Sequence, residues 1–304
     1  MTSSAPDLDG LRPRLPSPLR ELPAEDGRFA RHGVTLLLKR DDLIHPDLPG
    51  NKWRKLSLNL TAAAEQGRDT LVTFGGAYSN HLRATAAAGR LLGFATVGIV
   101  RGEELAGRPL NPSLERCAAD GMRLHFVDRG RYRRKAEPAV LAGLLAEAGA
   151  AGAYVVPEGG SNAPAVRGCE ALGRELRDAA DVVAVACGTG GTLAGLAAGL
   201  APAQRALGVP VLKGGFLDAE VRRLQTEAYG APRGAWSLDD RFHFGGYART
   251  PAELVAFAED FEARHGLAVE RIYVAKLLYA LTALTAEGAF PRGTRLAAVV
   301  TGTP

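Results

Sequence analysis

The stretch DVVAVACGTGGTLAGLAAGLA, residues 181–201, decides how the rest of the chain is interpreted. It begins with a continuous apolar run, which is typical of a strand buried on both faces, and it ends in small residues that suit a closely packed helix. Between the two lies GTGGT, residues 188–192. A glycine-rich turn at the start of a helix directs several backbone N–H groups at one point, so the stretch favours an anion site.

Two common phosphate motifs do not fit this turn. A P-loop requires a lysine after its last glycine, and no lysine follows here. The dinucleotide fingerprint requires glycine at its sixth position, where this chain has Leu193. Either the backbone N–H groups hold a phosphate with help from the hydroxyls of Thr189 and Thr192, or the turn is a tight connection without a ligand.

Strands and helices alternate on both sides of this stretch. The patterns predict a strand within 34–43 and further strands at 70–74, 95–100, 123–127 and 153–157. They predict helices at 52–67, 80–93, 113–121, 137–150 and 162–178. Residues 1–25 suit an irregular lead-in. Such alternation predicts an α/β protein of two domains, with parallel twisted sheets flanked by helices and a break near 150–160.

Composition excludes several classes of protein. The chain has 304 residues and a formal charge of +4, with hydrophobic residues at 46%, which are ordinary globular values. Its densest basic run, RGRYRRK at 129–135, is short and predicts a solvated loop or helix start, so we expect no nucleic-acid partner. Three widely spaced cysteines give no disulfide framework or zinc site, and we expect no metal. Without a signal peptide or apolar span, we expect no membrane association and a cytoplasmic location.

Lys52 lies in GNKWRKL, at the start of a predicted helix. Lysine is the side chain that forms a Schiff base with an aldehyde, which requires its amine to be neutral part of the time. The positive charges of Arg54 and Lys55 and the helix N-terminus would favour the neutral amine. The alternative is an ordinary surface lysine.

A third segment, GGAYSNH at 75–81, again places glycines between a strand and a helix. Ser79 and Asn80 are ordinary helix caps there. Alternatively, the same helix start binds a carboxylate, with Ser79 near a reacting carbon. His81 by itself is a weak signal, since a lone histidine is more often packed than catalytic.

These three segments, in this order, resemble the fold-type II pyridoxal-phosphate enzymes, which have a tryptophan synthase β-like fold. More narrowly, they resemble the family of 1-aminocyclopropane-1-carboxylate deaminases and D-cysteine desulfhydrases. LKRDDL at 38–43 and PEGGSN at 157–162 also fit that family's pattern. The resemblance implies a homodimer with pyridoxal 5′-phosphate in a cleft. It also implies a larger cofactor-binding domain of residues 1–54 and 158–304, and a smaller α/β domain of residues 55–157.

The resemblance also implies roles for the site residues. Lys52 would hold the cofactor as a Schiff base and move the α-proton of the substrate. Asn80 would bind the phenolic oxygen of the cofactor, and Thr301 would face its pyridine nitrogen. The phosphate would be cradled by the turn that comprises Gly188, Thr189, Gly190, Gly191 and Thr192. The residues implied to contact the amino-acid substrate are Ser79, Asn80, His81, Tyr247 and Tyr273, of which Ser79 and Tyr273 would be catalytic with Lys52.

Departures from the deaminase pattern favour elimination. Val274 follows Tyr273 where the deaminase branch has glutamate, and His81 stands where that branch has glutamine. Tyr78 replaces the glutamine usual before Ser-Asn. We therefore expect α,β-elimination on a small amino acid, most simply D-cysteine to pyruvate, sulfide and ammonia. The deaminase, another dehydratase, β-replacement enzyme or racemase, and a pyridoxal-phosphate or phosphate-ligand binder without turnover stay as alternatives.

Overall fold

A computed structural model describes residues 7–23, 27–48 and 50–302. The predicted α/β class, with parallel sheets flanked by helices, is confirmed. The strands are β1 Leu19–Glu21, β2 Thr35–Arg40, β3 Thr70–Gly75, β4 Ala95–Arg101, β5 Met122–Val127, β6 Tyr154–Val156, β7 Val182–Cys187, β8 Arg205–Pro210, β9 Ala235–Leu238 and β10 Arg295–Val300. The helices are α1 Lys52–Glu65, α2 Asn80–Leu92, α3 Pro112–Ala119, α4 Arg129–Arg133, α5 Pro138–Glu147, α6 Ala163–Arg174, α7 Gly191–Gly199, α8 Leu217–Tyr229, α9 Ala252–His265 and α10 Val274–Ala286.

The strands form two sheets. A six-stranded sheet has the order β1-β2-β10-β7-β8-β9, and only its edge strand β1 runs antiparallel to its neighbour. A four-stranded sheet has the order β5-β4-β3-β6 and is parallel throughout. The division into domains at 54/55 and 157/158 stays a prediction, although the smaller sheet falls wholly between those limits.

Helices cover both faces of each sheet. In the larger sheet, α9 and α10 pack on one face, and α6, α7 and α8 pack on the other. In the smaller sheet, α1, α2 and α3 pack on one face, and α4 and α5 pack on the other. All six residues of β7 are buried, as its continuous apolar run predicts for a central parallel strand. Within the described ranges, no helix is both long and apolar enough to cross a membrane.

The strand predicted within 34–43 is confirmed as β2, which ends at Arg40 before a 3-10 turn over Asp41–Leu43. Two other segments have features that the sequence did not indicate. The lead-in contains the edge strand β1, although residues 1–6, 24 and 25 of it lie outside the described part. The basic run at 129–135 begins with the short helix α4, in which Tyr132 is buried rather than solvated.

A buried ion network fixes the start of α1. The guanidinium of Arg54 donates to Asp41 (Nε to Oδ2, 2.8 Å) and to Glu175 (Nη1 to Oε1, 2.8 Å). The ammonium of Lys39 lies 2.6 Å from the other carboxylate oxygen of Glu175. Because the network joins the end of β2 to the residues after α6, it sets the orientation of the helix on which Lys52 lies.

Candidate active site

A cleft of about 730 Å³ opens between the two sheets. It lies at the carboxyl ends of β3 and β7, where ligands commonly bind in parallel α/β proteins. Every residue that the sequence singled out for the site lines this cleft except Gly191, which is buried within the turn at 188–192. The lining members of that set are Lys52, Ser79, Asn80, His81, Gly188, Thr189, Gly190, Thr192, Tyr247, Tyr273 and Thr301.

Lys52 is the first residue of α1, as predicted, and its side chain is half-buried beside the cleft. Its Nζ donates a hydrogen bond to Oδ1 of Asn51 at 3.1 Å. Loss of hydration, followed by repulsion from the ammonium of Lys55, lowers the pKa of Lys52 to about 7. A lysine with this pKa is a neutral nucleophile and base for much of the time near neutral pH.

Asn51 joins this lysine to the glycine turn. Its side chain is buried, and Nδ2 donates to Oγ1 of Thr192 at 2.8 Å while Oδ1 accepts from Lys52. Its backbone N–H donates to the carbonyl of Thr301 at 3.2 Å. The carbonyl of Thr301 therefore braces the residue before α1, and Asn51 links the Lys52 amine to Thr192 of the glycine turn.

The turn at 188–192 connects β7 to α7, as the sequence predicts. Gly190 has a φ of +77°, in the left-handed region that favours glycine, and it directs the chain into the first turn of α7. The hydroxyl of Thr189 lies 2.6 Å from that of Ser161. A Cβ built on Gly191 would lie 3.2 Å from Nζ of Lys55. The helix N-terminus and a buried ammonium thus meet at one place, which suits an anion.

The sequence assigned neither Lys55 nor Ser161 a place at the glycine turn. The buried ammonium of Lys55 donates to the carbonyl of Gly159 at 2.8 Å and to Oγ of Ser161 at 3.2 Å. Burial lowers the pKa of Lys55. In the sequence, these residues are the second lysine of GNKWRKL and the serine of PEGGSN, so both lie in motifs already noted. Only the fold shows that both face the turn.

The segment at 79–81 begins α2. Ser79 is a helix cap, as predicted, and its Oγ accepts from the N–H of Leu82 at 3.3 Å. His81 is 2% exposed, and neither ring nitrogen makes a well-formed hydrogen bond to any described residue. Burial, followed by the charges of Lys52 and Lys55, lowers the pKa of His81 well below its usual value. His81 is therefore a neutral imidazole beside the cleft.

Tyr247 and Tyr273 form an edge-to-face pair with ring centroids 6.0 Å apart. Burial, followed by the neighbouring Tyr247, raises the pKa of Tyr273 well above its usual value, so its hydroxyl stays protonated. Glu270 holds Tyr273 in place, because its carboxylate accepts from the N–H groups of Ile272 (2.8 Å) and Tyr273 (2.7 Å). Glu270 also lines the cleft and was missed at the sequence level.

The sequence of the chain is similar to those of several named proteins. It is 34% identical over 184 residues to the mitochondrial bifunctional D-cysteine desulfhydrase/1-aminocyclopropane-1-carboxylate deaminase of Arabidopsis thaliana, covering 55% of this chain but 45% of that protein's length. It is 30% identical over 260 residues to a putative 1-aminocyclopropane-1-carboxylate deaminase of Thermotoga maritima, covering 81% of this chain and 82% of the relative.

A solved structure described as an ACC deaminase homologue superposes with a TM-score of 0.79 at 26% identity, covering 94% of this chain and 89% of that one. The family described as pyridoxal-phosphate dependent enzyme matches residues 12–302. That cofactor needs a reactive lysine and a phosphate site, and in this chain Asn51 hydrogen-bonds both to Lys52 and to Thr192 of the glycine turn. The chain therefore belongs to the pyridoxal-phosphate-dependent enzymes, as its sequence motifs indicated.

Proposed function

We propose that this enzyme catalyses α,β-elimination on a small amino acid, most simply the conversion of D-cysteine and water to pyruvate, ammonia and hydrogen sulfide. The observation that carries the proposal is the Lys52 amine, whose pKa is lowered to about 7 within the cleft. The Arabidopsis relative, whose name includes D-cysteine desulfhydrase, supports the choice of substrate.

We propose that the cofactor is held by residues of both sheets. Lys52 would bind it covalently, Asn80 would donate to its phenolic oxygen, and Thr301 would face its pyridine nitrogen. Its phosphate would be bound by the turn at 188–192, with the Lys55 ammonium as an added positive charge. The bound cofactor withdraws electrons from the α-carbon of an amino acid. The neutral hydroxyl of Thr301 would leave the pyridine nitrogen unprotonated, which favours elimination over transamination.

The remaining steps belong to side chains of the cleft. Once released from the cofactor, the Nζ of Lys52 would accept the α-proton, which its lowered pKa permits near neutral pH. Ser79 and the neutral His81 would contact the substrate carboxylate at the start of α2. Tyr273, held protonated, would donate to the leaving sulfur. The paired ring of Tyr247 would keep that hydroxyl in place.

The deaminase is the second candidate, because the Thermotoga relative carries that name. Sulfide from D-cysteine and ammonia from 1-aminocyclopropane-1-carboxylate, measured in parallel, separate the two reactions. A panel of D- and L-amino acids extends the ammonia assay to dehydratase activity, an added thiol nucleophile reveals β-replacement products, and chiral chromatography reveals racemisation. Lys52→Ala should abolish every one of them, whereas the exposed Lys213→Ala should not. A cofactor-loaded protein inactive on the whole panel would instead be a binding protein without turnover.

We also propose a homodimer that works in the cytoplasm, with residues 1–54 and 158–304 as the larger domain and 55–157 as the smaller. The family resemblance supports the dimer, and the position of the four-stranded sheet supports the boundaries. Light scattering coupled to size-exclusion chromatography tests whether the protein is a homodimer. Expression of residues 55–157 alone, followed by circular dichroism, tests whether these boundaries enclose a domain that folds by itself.

A further inference from the structure

Three large aromatic side chains are exposed around the mouth of the cleft. Tyr78 is 64% exposed, Phe216 is 46% exposed and Tyr247 is 37% exposed. The described part of the chain has seven exposed large apolar side chains, and these are the three that line the cleft. Clustered exposed apolar surface marks a ligand or partner site more often than scattered single residues do.

The three aromatic residues lie on three separate loops with defined conformations. Tyr78 is in the turn between β3 and α2, where Asn111 donates to the adjacent carbonyl of Ala77 at 3.1 Å. Phe216 follows Gly214 and Gly215, both at positive φ, directly before α8. Tyr247 packs edge-to-face on Tyr273. The loops thus bring aromatic surface from both sheets to one opening.

D-cysteine is too small to cover these three aromatic side chains while it reacts at Lys52. Its side chain is a single thiol on the β-carbon, which would lie near Lys52 and Tyr273 in the proposed reaction. Tyr78 directly precedes Ser79, so it lies just beyond the proposed carboxylate contact. Leu105 and Leu212 add aliphatic surface to the same lining. This apolar surface is larger than the thiol of D-cysteine can cover, and it lies in a lining that also includes the charged side chains of Arg101, Glu104, Arg129 and Glu158.

We propose that Tyr78, Phe216 and Tyr247 bind a bulky apolar group, preferably an aromatic ring, carried on the β-carbon of the substrate. This inference rests on the proposed function and narrows it to amino acids such as S-aryl or S-benzyl cysteines, in which the leaving group is a thiol larger than sulfide. Apolar burial and ring–ring contact supply the preference.

Binding is measurable without turnover. D-phenylalanine and D-alanine differ by the ring alone and lack a leaving group, so titration of the cofactor-loaded enzyme, followed by cofactor absorbance, gives their dissociation constants. We expect D-phenylalanine to bind at least about tenfold more tightly, which corresponds to about 1.4 kcal/mol. Tyr78→Ala and Phe216→Ala should each reduce that ratio several-fold. Leu19, which is 40% exposed but outside the cleft lining, provides the matched control Leu19→Ala.

Equal affinity for the two amino acids overturns the inference, and so does a ratio that neither substitution reduces. The inference is also overturned if Tyr78→Ala raises the dissociation constants of D-phenylalanine and D-alanine equally. The ring of Tyr78 would then contact only the part that all amino-acid substrates share. The L-enantiomers are titrated in parallel, since the substrate's configuration belongs to the proposed function. A preference for phenylalanine without sulfide release from D-cysteine rejects the desulfhydrase and leaves the side-chain site standing. Absence of cofactor absorbance rejects both.

Discussion

Lys52 and Lys55 lie one turn apart on α1, and the charge of the second lowers the pKa of the first. Burial contributes more to that shift, so removing the charge should move the pKa only part of the way back to that of an ordinary lysine. We expect Lys55→Met to raise the pKa of Lys52 above about 7. The measurement is the rate at which an amine-reactive reagent labels Lys52 in cofactor-free protein as a function of pH, with the site assigned by mass spectrometry.

The exposed Lys213→Met is the control for this experiment, and its labelling midpoint should equal that of the unmodified chain. A Lys52 midpoint in the ordinary lysine range would contradict the role of burial. An unchanged midpoint in Lys55→Met would contradict the coupling between the two ammonium groups.

Gly191→Ala should weaken cofactor binding without unfolding the protein. The new Cβ would lie 2.7 Å from Oγ of Ser161 and 3.2 Å from Nζ of Lys55, so both groups must move away from the turn. The first turn of α7 itself tolerates alanine. We expect the dissociation constant of pyridoxal 5′-phosphate to rise about tenfold or more, equivalent to about 1.4 kcal/mol. Fluorescence titration of the apo-protein measures it.

Gly107→Ala is the matched control, since a Cβ there would meet nothing within 4 Å. It should bind the cofactor as the unmodified chain does. If Gly191→Ala bound equally well, Ser161 and Lys55 would not contribute to the cradle.

Lys276 should act on catalysis through Tyr247. The buried ammonium of Lys276 donates to the carbonyls of His243 (3.0 Å) and Gly246 (2.8 Å), and it thereby ties α10 to the loop that carries Tyr247. Lys276→Met leaves two carbonyls without their donor, at a cost of about 1–3 kcal/mol each where they stay buried. We expect kcat/KM for sulfide release to fall about tenfold, while the absorbance of the bound cofactor stays unchanged.

A double-mutant cycle with Tyr247→Phe tests whether the two residues form one unit. If Lys276 acts by positioning Tyr247, the combined variant should lose little more than the more damaging single variant. Fully additive losses would show that Lys276 supports activity by some other route.

The sequence predicted the site where the signal is local. The apolar run of β7, the glycine turn and the small residues of α7 follow one another without interruption, and GNKWRKL places Lys52 at a helix start. The partners of these segments are remote in sequence. Asn51 reaches Thr192 across 141 positions, and Lys55 reaches Ser161 across 106. No periodicity carries that information, because it depends on how the two sheets pack.

The strands at the edges and at the end of the chain were harder to predict for a different reason. The run RLAAVV of β10 is short, and its small apolar residues suit a helix as well as a strand. It becomes a strand because it inserts between β2 and β7 and completes the larger sheet. The charged residues of LKRDDL likewise suggest a segment exposed to solvent. Lys39 and Asp41 are nevertheless buried, because Glu175 and Arg54 from other segments pair with them.

The burial of Asp41 gives a prediction about stability. Arg54→Met removes the donor to a carboxylate that is fully buried, and loss of one partner from a buried pair costs roughly 3–5 kcal/mol. The exposed pair of Arg134 and Glu137 is the control, because Arg134→Met should cost about 1 kcal/mol or less. Chemical denaturation of the cofactor-free proteins measures both differences.

The same network predicts how stability depends on pH. Burial alone would raise the pKa of Glu175, but hydrogen bonds from Arg54, followed by its charge and by Lys39, outweigh it and lower that pKa. A lowered folded-state pKa contributes stability that is present above the ordinary pKa of glutamate and is lost as the pH falls through the folded value. Glu175→Gln should therefore reduce stability at neutral pH and flatten the acid limb of the unfolding curve. An acid limb as steep as that of the unmodified chain would assign the acid sensitivity to other carboxylates.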